Sequence, residues 1–121
     1  MKLIFTMVFL GIAFSACSST RPPTQQLTQT EASISQAEQV GAEEYAPLEI
    51  REARKKLQEA RSLVKKEKYE DAKLLADRAM VDAEYAQIKT LSAKAQKAVY
   101  QLQESIKALQ KEIGNKIQQR K

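Results

Sequence analysis

Two rows of small and apolar residues, spaced as on helices and out of phase with each other, most constrain the fold of this chain. The first row repeats every three or four residues: Ala46, Ile50, Ala53, Leu57, Ala60 and Val64. The second row follows it: Tyr69, Ala72, Ala76, Ala79, Ala83 and Ala86. Val64 and Tyr69 are separated by four residues, all charged. A turn there would let the two rows face each other, which predicts an antiparallel helical hairpin.

The alternative to a hairpin is one uninterrupted helix, because no glycine or proline between the two rows forces a break. The hairpin is favoured, since the alanines of the second row would let the two backbones approach closely. Pro47 is tolerated in the first turn of a helix and predicts a helix start there. A short helix from about Glu31 to Gly41, capped by Thr28 or Thr30, is expected before it, so the domain has two or three helices.

Beyond Ala86 the apolar residues change their period. Two series repeat at intervals of 11 residues: Leu91, Leu102 and Ile113, and Ala95, Ile106 and Ile117. This period predicts a long helix, nearly straight or slightly right-handed in its supercoil, from Tyr69 to about Ile117, roughly 70 Å long at 1.5 Å per residue. The helix that starts at Pro47 is less than half as long and cannot cover the far end. Gly114-Asn115 is the predicted place for the long helix to end or loosen.

Strands are not expected, because no alternating run of β-branched residues bounded by turn residues follows Cys17. The sequence therefore predicts an all-α fold, an antiparallel helical hairpin with a long C-terminal helix after a signal peptide and a flexible tether. The predicted segments are a lipoprotein signal peptide (1–16), a lipidated polar tether (17–30), a helical hairpin domain (31–92) and a basic helical extension (93–121).

Cys17 predicts where the protein is located. It is the only cysteine, and it follows an opening with one lysine and an uncharged stretch from Leu3 to Ala16 that is too short to remain in a bilayer as a spanning helix. Phe14-Ser15-Ala16-Cys17 is typical of a lipobox, so Cys17 is the predicted lipid attachment site. Cleavage after Ser15 without lipidation and a cytosolic, buried cysteine are the alternatives. The chain resembles bacterial lipoproteins of envelopes with two membranes, and the resemblance implies that Ser18, and not aspartate, after the cysteine directs it to the outer membrane, facing the periplasm.

The region from Ile34 to Ala86 resembles an uncharacterised family of short proteobacterial lipoproteins, whose domain also occurs ahead of outer membrane protein A-like peptidoglycan-binding domains. The resemblance rests on Gly41-Ala42, Tyr45-Ala46-Pro47-x-Glu49, Ala53, Lys56-Leu57, Ala60, Tyr69-x-x-Ala72, Ala76, Ala79 and Asp82-Ala83. The family usually has a glycine before the tyrosine of the turn, where this chain has Glu67-Lys68. Membership implies a helical hairpin and an outer-membrane location, and it supplies no activity or ligand.

An enzyme is not expected. The chain has no histidine and no glycine-rich phosphate loop, and acylation would consume its single thiol. Its carboxylates are expected to be solvated charge partners: Asp71, Asp77, Asp82 and Glu84. The same shortage of ligands predicts no metal and no cofactor. Arg54-Lys55-Lys56 could bind nucleic acid only in the cytosol, which the signal peptide disfavours, so no nucleic-acid partner is expected.

The C-terminal segment carries the predicted partner sites. Its lysines could meet anionic headgroups, lipopolysaccharide phosphates or peptidoglycan carboxylates, or could form a solvated face: Lys94, Lys97, Lys107, Lys111 and Lys116. Gln119-Arg120-Lys121 resembles the end of the murein lipoproteins, in which the terminal lysine is coupled to the cell wall, so Lys121 is a candidate for peptidoglycan attachment. Self-association or an envelope-protein partner is expected through Leu91, Leu102, Ile106, Leu109 and Ile113. The basic charges between them are expected to oppose close parallel packing.

Overall fold

A computed structural model of the chain describes residues 21–120. These residues form helices and no strand, and the predicted all-α fold is confirmed. The helices are α1 (Thr24–Gln39), α2 (Ala42–Tyr45), α3 (Pro47–Lys65) and α4 (Tyr69–Gln119). The predictions for the signal peptide, for Cys17 and for Lys121 lie outside the described residues. No helix within residues 21–120 is both long enough and apolar enough to cross a membrane.

The two predicted rows form the centre of the structure. On α3 the residues Ile50, Ala53, Leu57 and Ala60 are buried, and on α4 the row from Ala72 to Ala86 is fully buried. Helix α1 adds Ile34 and Ala37 to the same core and packs on both α3 and α4. The predicted version with a helix ahead of the hairpin is therefore the observed one, and the four-residue helix α2 is present in addition. Because alanine has no side chain beyond Cβ, this row lets both neighbouring backbones approach α4 closely.

The directions of the helices follow from contacts at their two ends. Thr30 on α1 contacts the backbone of Ala76, and Val40 just after α1 contacts Lys94, so α1 runs parallel to α4. On α3, Glu49 contacts Lys89 while Lys56 contacts Asp82, so α3 runs antiparallel to α4. The start of α1 therefore lies beside the start of α4, and the far end of α4 points away from it.

Helix α1 begins seven residues earlier than predicted, at Thr24 instead of about Glu31. Thr28 and Thr30 do not cap it: their hydroxyls donate to the carbonyls of Thr24 (3.0 Å) and Gln26 (2.8 Å), one helical turn back. The additional turns are held by tertiary contacts that local sequence rules do not include. Leu27 packs against the core, and the buried Thr30 hydroxyl lies 2.9 Å from the carbonyl oxygen of Ala76 on α4. Part of the predicted tether is thus helical.

The predicted break between the two rows is present. Helix α3 ends at Lys65, and Glu67 adopts a left-handed conformation with φ of 58°. The amide of Lys68 donates to the carbonyl of Leu63, and the amide of Glu67 donates to that of Val64, each at 3.0 Å. These two bonds form a Schellman motif, which satisfies the last carbonyls of α3 and reverses the chain. The hairpin, and not the single helix, is the structure formed.

The long helix begins at Tyr69 and reaches the region of Ile117 as predicted, but it does not end at Gly114-Asn115, the place where it was expected to end or loosen. It runs through Gly114 and Asn115 to Gln119, a length of 51 residues or roughly 77 Å at 1.5 Å per residue. A single glycine costs a helix only about 1 kcal/mol relative to alanine, and it ends a helix only where a left-handed residue is required. At Gly114 an added Cβ would meet no atom within 4 Å, so no tertiary contact disturbs the helix there.

The left-handed residue Glu67 gives a direct test of the turn. A residue with a Cβ is strained in this conformation by about 1–2 kcal/mol, whereas glycine is not. Glu67→Gly should therefore raise the free energy of unfolding by about 0.5–1 kcal/mol after the larger unfolded-state entropy of glycine is subtracted. The measurement is urea denaturation followed by circular dichroism.

Lys66→Gly is the matched control, because Lys66 has a negative φ of −96° and gains nothing from glycine. This variant should be slightly destabilised. Equal changes in stability for the two variants would contradict the left-handed turn at Glu67.

Candidate interaction surface on the long helix

Helix α4 has two apolar faces that differ in residue size. The inner face, buried against α1 and α3, consists of Ala72, Ala76, Ala79, Ala83, Ala86 and Thr90. The outer face lies about 150° away around the helix, at 100° per residue. It consists of large side chains that are 47–66% exposed: Leu74, Val81, Tyr85, Ile88, Val99, Leu102, Ile106, Leu109 and Ile113. The small residues are thus buried and the large ones face solvent.

Where the bundle ends, the inner face of α4 becomes largely polar and the outer face stays apolar. After Thr90 the positions that continue the inner face are Ala93, Lys97, Tyr100, Glu104, Lys107 and Lys111. None of residues 91–120 is buried. The outer face remains apolar as far as Ile113, so its residues in this stretch cannot serve the core of the bundle.

The structure places all the sequence-predicted contact residues of the C-terminal segment on or beside the outer face. Leu102, Ile106, Leu109 and Ile113 belong to it, and Leu91, 48% exposed, lies at its edge. Sequence reasoning missed its first half, from Leu74 to Ile88, because the alanine row was taken as the only face of that part of α4. The signal was present in the sequence as a second set of apolar residues spaced by seven: Leu74, Val81 and Ile88.

The lysines of the C-terminal segment do not form one uniform cationic surface. The ammonium of Lys94 donates to the carbonyl of Val40 at 2.5 Å, where it meets the negative end of α1, and it lies 5.6 Å from the centre of the Tyr45 ring. The ammonium of Lys97 is 5.9 Å from the same ring centre and 3.4 Å from its hydroxyl. Both side chains therefore contact residues of the bundle and do not extend freely into solvent.

Two further lysines are paired within α4 itself. Lys107 lies 2.9 Å from Glu104, and Lys116 lies 2.7 Å from Glu112. Both pairs are exposed, so each contributes at most about 1 kcal/mol. Lys111 has no ion pair among residues 21–120. These contacts favour the interpretation of the C-terminal lysines as a solvated and partly bundle-bound face.

Ion pairs join the three long helices. Arg54 on α3 pairs with Glu38 and Glu43, and Lys56 pairs with Asp82, which is one of the carboxylates predicted to be a charge partner. A groove between α1 and α3 contains the Arg54–Glu38 pair and the Arg61–Glu31 pair, at 2.7 and 2.8 Å. The groove is thus lined by side chains that already neutralise each other.

The Glu49–Lys89 pair joins the first turn of α3 to α4 at 2.6 Å. The hydrogen bond from Lys89 lowers the pKa of Glu49, and the same bond raises the pKa of Lys89. Both groups are therefore held in their charged forms. Within residues 21–120, no group of three or more histidine, cysteine, aspartate or glutamate side chains is arranged to hold a metal ion.

A family model described as a domain of unknown function, DUF4398, matches residues 25–102. The chain belongs to the DUF4398 family. The match runs from α1 to Leu102 in α4, further at both ends than the resemblance found in the sequence, and the predicted membership of an uncharacterised family is confirmed. The last turns of α4, with Ile106, Leu109 and Ile113, extend beyond the DUF4398 match.

A solved structure supports the same fold for this DUF4398 domain. The crystal structure of a DUF4398 family protein (PA2901) from Pseudomonas aeruginosa PAO1 is similar to this chain, with a TM-score of 0.73 and 34% sequence identity. The similarity covers 78% of this chain and 98% of that one. No curated protein matches the chain in sequence.

The contacts of Lys94 predict a measurable role in stability. Lys94→Met keeps an unbranched side chain but removes the charge at the end of α1 and over Tyr45. The loss should be about 1 kcal/mol in the free energy of unfolding, the sum of a helix-terminus charge and a cation–π contact. Urea denaturation measures it. Lys111→Met, in an exposed stretch of the same helix, is the control and should change stability by less than about 0.5 kcal/mol. Equal effects of the two substitutions would contradict the role given to Lys94.

Proposed function

We propose that this chain is a non-enzymatic lipoprotein of the outer membrane, anchored through acyl chains on Cys17, and that its helical domain is an interaction or scaffolding module in the periplasm. The observation that carries the proposal is the outer face of α4, which exposes large apolar side chains along most of a helix of 51 residues. Exposed apolar patches of this extent are typical of surfaces that bind partners.

The directions of the helices support the proposal. Because α1 runs parallel to α4, the N-terminal end of the described chain lies at the opposite end of the molecule from Gln119. An anchor at Cys17 would therefore hold the start of the bundle near the lipid. The far end of α4 would project from it by up to roughly 77 Å, at 1.5 Å per residue. This arrangement would place the far half of the outer face, from Val99 to Ile113, in the periplasm at a distance from the membrane.

The anchor is tested by changing Cys17 and its neighbour. Cys17→Ser should abolish incorporation of labelled palmitate and association with the outer membrane, because no other residue of the chain is a cysteine. Ser18→Asp is the matched control: it should still be labelled, and by its similarity to lipoproteins with aspartate at this position it should leave the outer-membrane fraction. Palmitate entering the Cys17→Ser protein would contradict the proposal.

A second candidate is a structural tether between the outer membrane and peptidoglycan, through the basic tail or Lys121. The specific observation that favours it is the same directionality, which puts the C-terminal end of α4 far from the anchored end. The scaffolding function requires no covalent link to the wall.

Purified sacculi distinguish the two functions. After lysozyme digestion, mass spectrometry should find no peptide of this chain joined to a muropeptide if the chain is a scaffold. A muropeptide on the Lys121 amine, absent from a Lys121→Arg variant that keeps the charge, would instead establish the tether.

A further inference from the structure

The outer face of α4 follows a heptad pattern. Its residues alternate at steps of four and three, which places Tyr85, Val99, Ile106 and Ile113 at a positions and Val81, Ile88, Leu102 and Leu109 at d positions. Such a pattern forms the contact seam of a coiled coil. Ser92 and Ala95 complete the series, while Arg78 and Lys116 occupy its next positions at either end. The seam is thus bounded by charged residues and extends over residues 81–113.

The residue types along the seam indicate which kind of partner fits it. From Val99 to Ile113 every a position is β-branched and every d position is leucine. This combination favours two parallel strands over three or four. The outer face of α4 carries this pattern, and a second copy of α4 would supply the same residues on the other strand of such a dimer.

The positions that flank the middle of the seam do not repel a second copy. The flanking e and g positions from 91 to 110 carry no charge: Leu91, Gln96, Ala98, Gln103, Ser105 and Gln110. In an in-register parallel pair, a g residue faces the e residue of the next heptad in the partner. Glu84 at g would then face Lys89 at e, which already pairs with Glu49 of its own chain, and Asp77 at g would face Asp82 at e, which already pairs with Lys56. An in-register copy therefore meets no charge at the e and g positions from 91 to 110, where the β-branched and leucine positions lie.

The lysines predicted to oppose parallel packing lie on the other side of the helix. Lys94 and Lys97 contact the bundle through Val40 and Tyr45, which shows that they point toward the inner side. Lys107 and Lys111 occupy b and f positions, which continue that side. The bundle does not obstruct the seam either, because α1 and α3 cover the inner face of α4.

We propose that the outer face of α4 binds a second copy of this chain, parallel and in register, as a two-stranded left-handed coiled coil over residues 81–113. The inference rests in part on the proposed function: it names the partner of the apolar face that the proposed scaffold exposes, and the proposed N-terminal anchor is one argument for the parallel direction. Two chains anchored at one membrane by their N-terminal ends would also run in the same direction.

Cysteine cross-linking of the full chain tests this arrangement. All variants carry Cys17→Ser, so that the introduced cysteine is the only thiol and the result does not depend on lipidation. Val99→Cys and Ile113→Cys are each oxidised with copper phenanthroline, alone and as a mixture of the two. Lys111→Cys, exposed in the same stretch but at an f position, is the matched control.

A parallel pair predicts efficient dimers of Val99→Cys with itself and of Ile113→Cys with itself, and at most background dimer from Lys111→Cys. Addition of Leu102→Lys and Leu109→Lys should reduce the dimer yield at least about tenfold, because both charges would lie in the seam. Circular dichroism should show the same helix content before and after this addition, so that loss of folding is distinguished from loss of pairing.

Two results would overturn the inference. Cross-links at Val99→Cys without cross-links at Ile113→Cys, or cross-links only in the mixture of the two, would show antiparallel pairing, because an antiparallel overlap of residues 81–113 places residue 99 opposite residue 95 and residue 113 opposite residue 81. Yields at Val99 and Ile113 no higher than at Lys111 would show that no second copy covers the outer face. Either result would leave the palmitate and fractionation tests of the proposed function unaffected.

Discussion

Close packing against an alanine row is the interaction on which the rest of this structure depends. Five alanines on α4, from Ala72 to Ala86, are fully buried, and α1 and α3 both lie against them. A buried alanine removes little apolar surface from water compared with a leucine, since the hydrophobic contribution scales with area. One neighbouring helix would therefore stabilise α4 only weakly. The two neighbours together supply the larger buried side chains, Ile34 from α1 and Ile50 and Leu57 from α3.

The same constraint explains why polar contacts are placed at the edges of the bundle. Between closely spaced backbones there is room for a hydroxyl but not for a long side chain, and Thr30 reaches the Ala76 carbonyl across that space. The longer charged groups meet at positions where their side chains remain partly exposed. The Glu49–Lys89 and Lys56–Asp82 pairs lie along one edge, and Lys94 closes the end of α1. A uniform row of alanines would allow a neighbouring helix to shift along α4. These polar contacts fix the position of each helix along that axis.

Much of this fold could be predicted from residue spacing, and the exceptions have physical reasons. Pro47 marks the start of α3, and the change of phase between Val64 and Tyr69 marks the turn, because both are local signals. The early start of α1 depends on Leu27 and Thr30 meeting other helices, which no local pattern reports. The passage of α4 through Gly114 reflects a small cost that neighbouring residues on both sides outweigh. For the candidate surface, the sequence indicated the far half of the outer face. It could not show that the near half was exposed until the alanines were known to occupy the bundle side.

The two faces of α4 also constrain how its length can change. Each inserted residue lengthens a helix by about 1.5 Å and turns everything beyond it by about 100°. The length of α4 and the direction in which the outer face of its far half points therefore change together. An insertion of four residues after Thr90 would rotate the outer face of the tail by about 40° relative to the bundle, whereas seven or eleven would rotate it by only about 20°. A rod of this design can be lengthened in whole repeats, by about 10 or 16 Å at a time, without twisting its exposed face away from the direction set by the bundle.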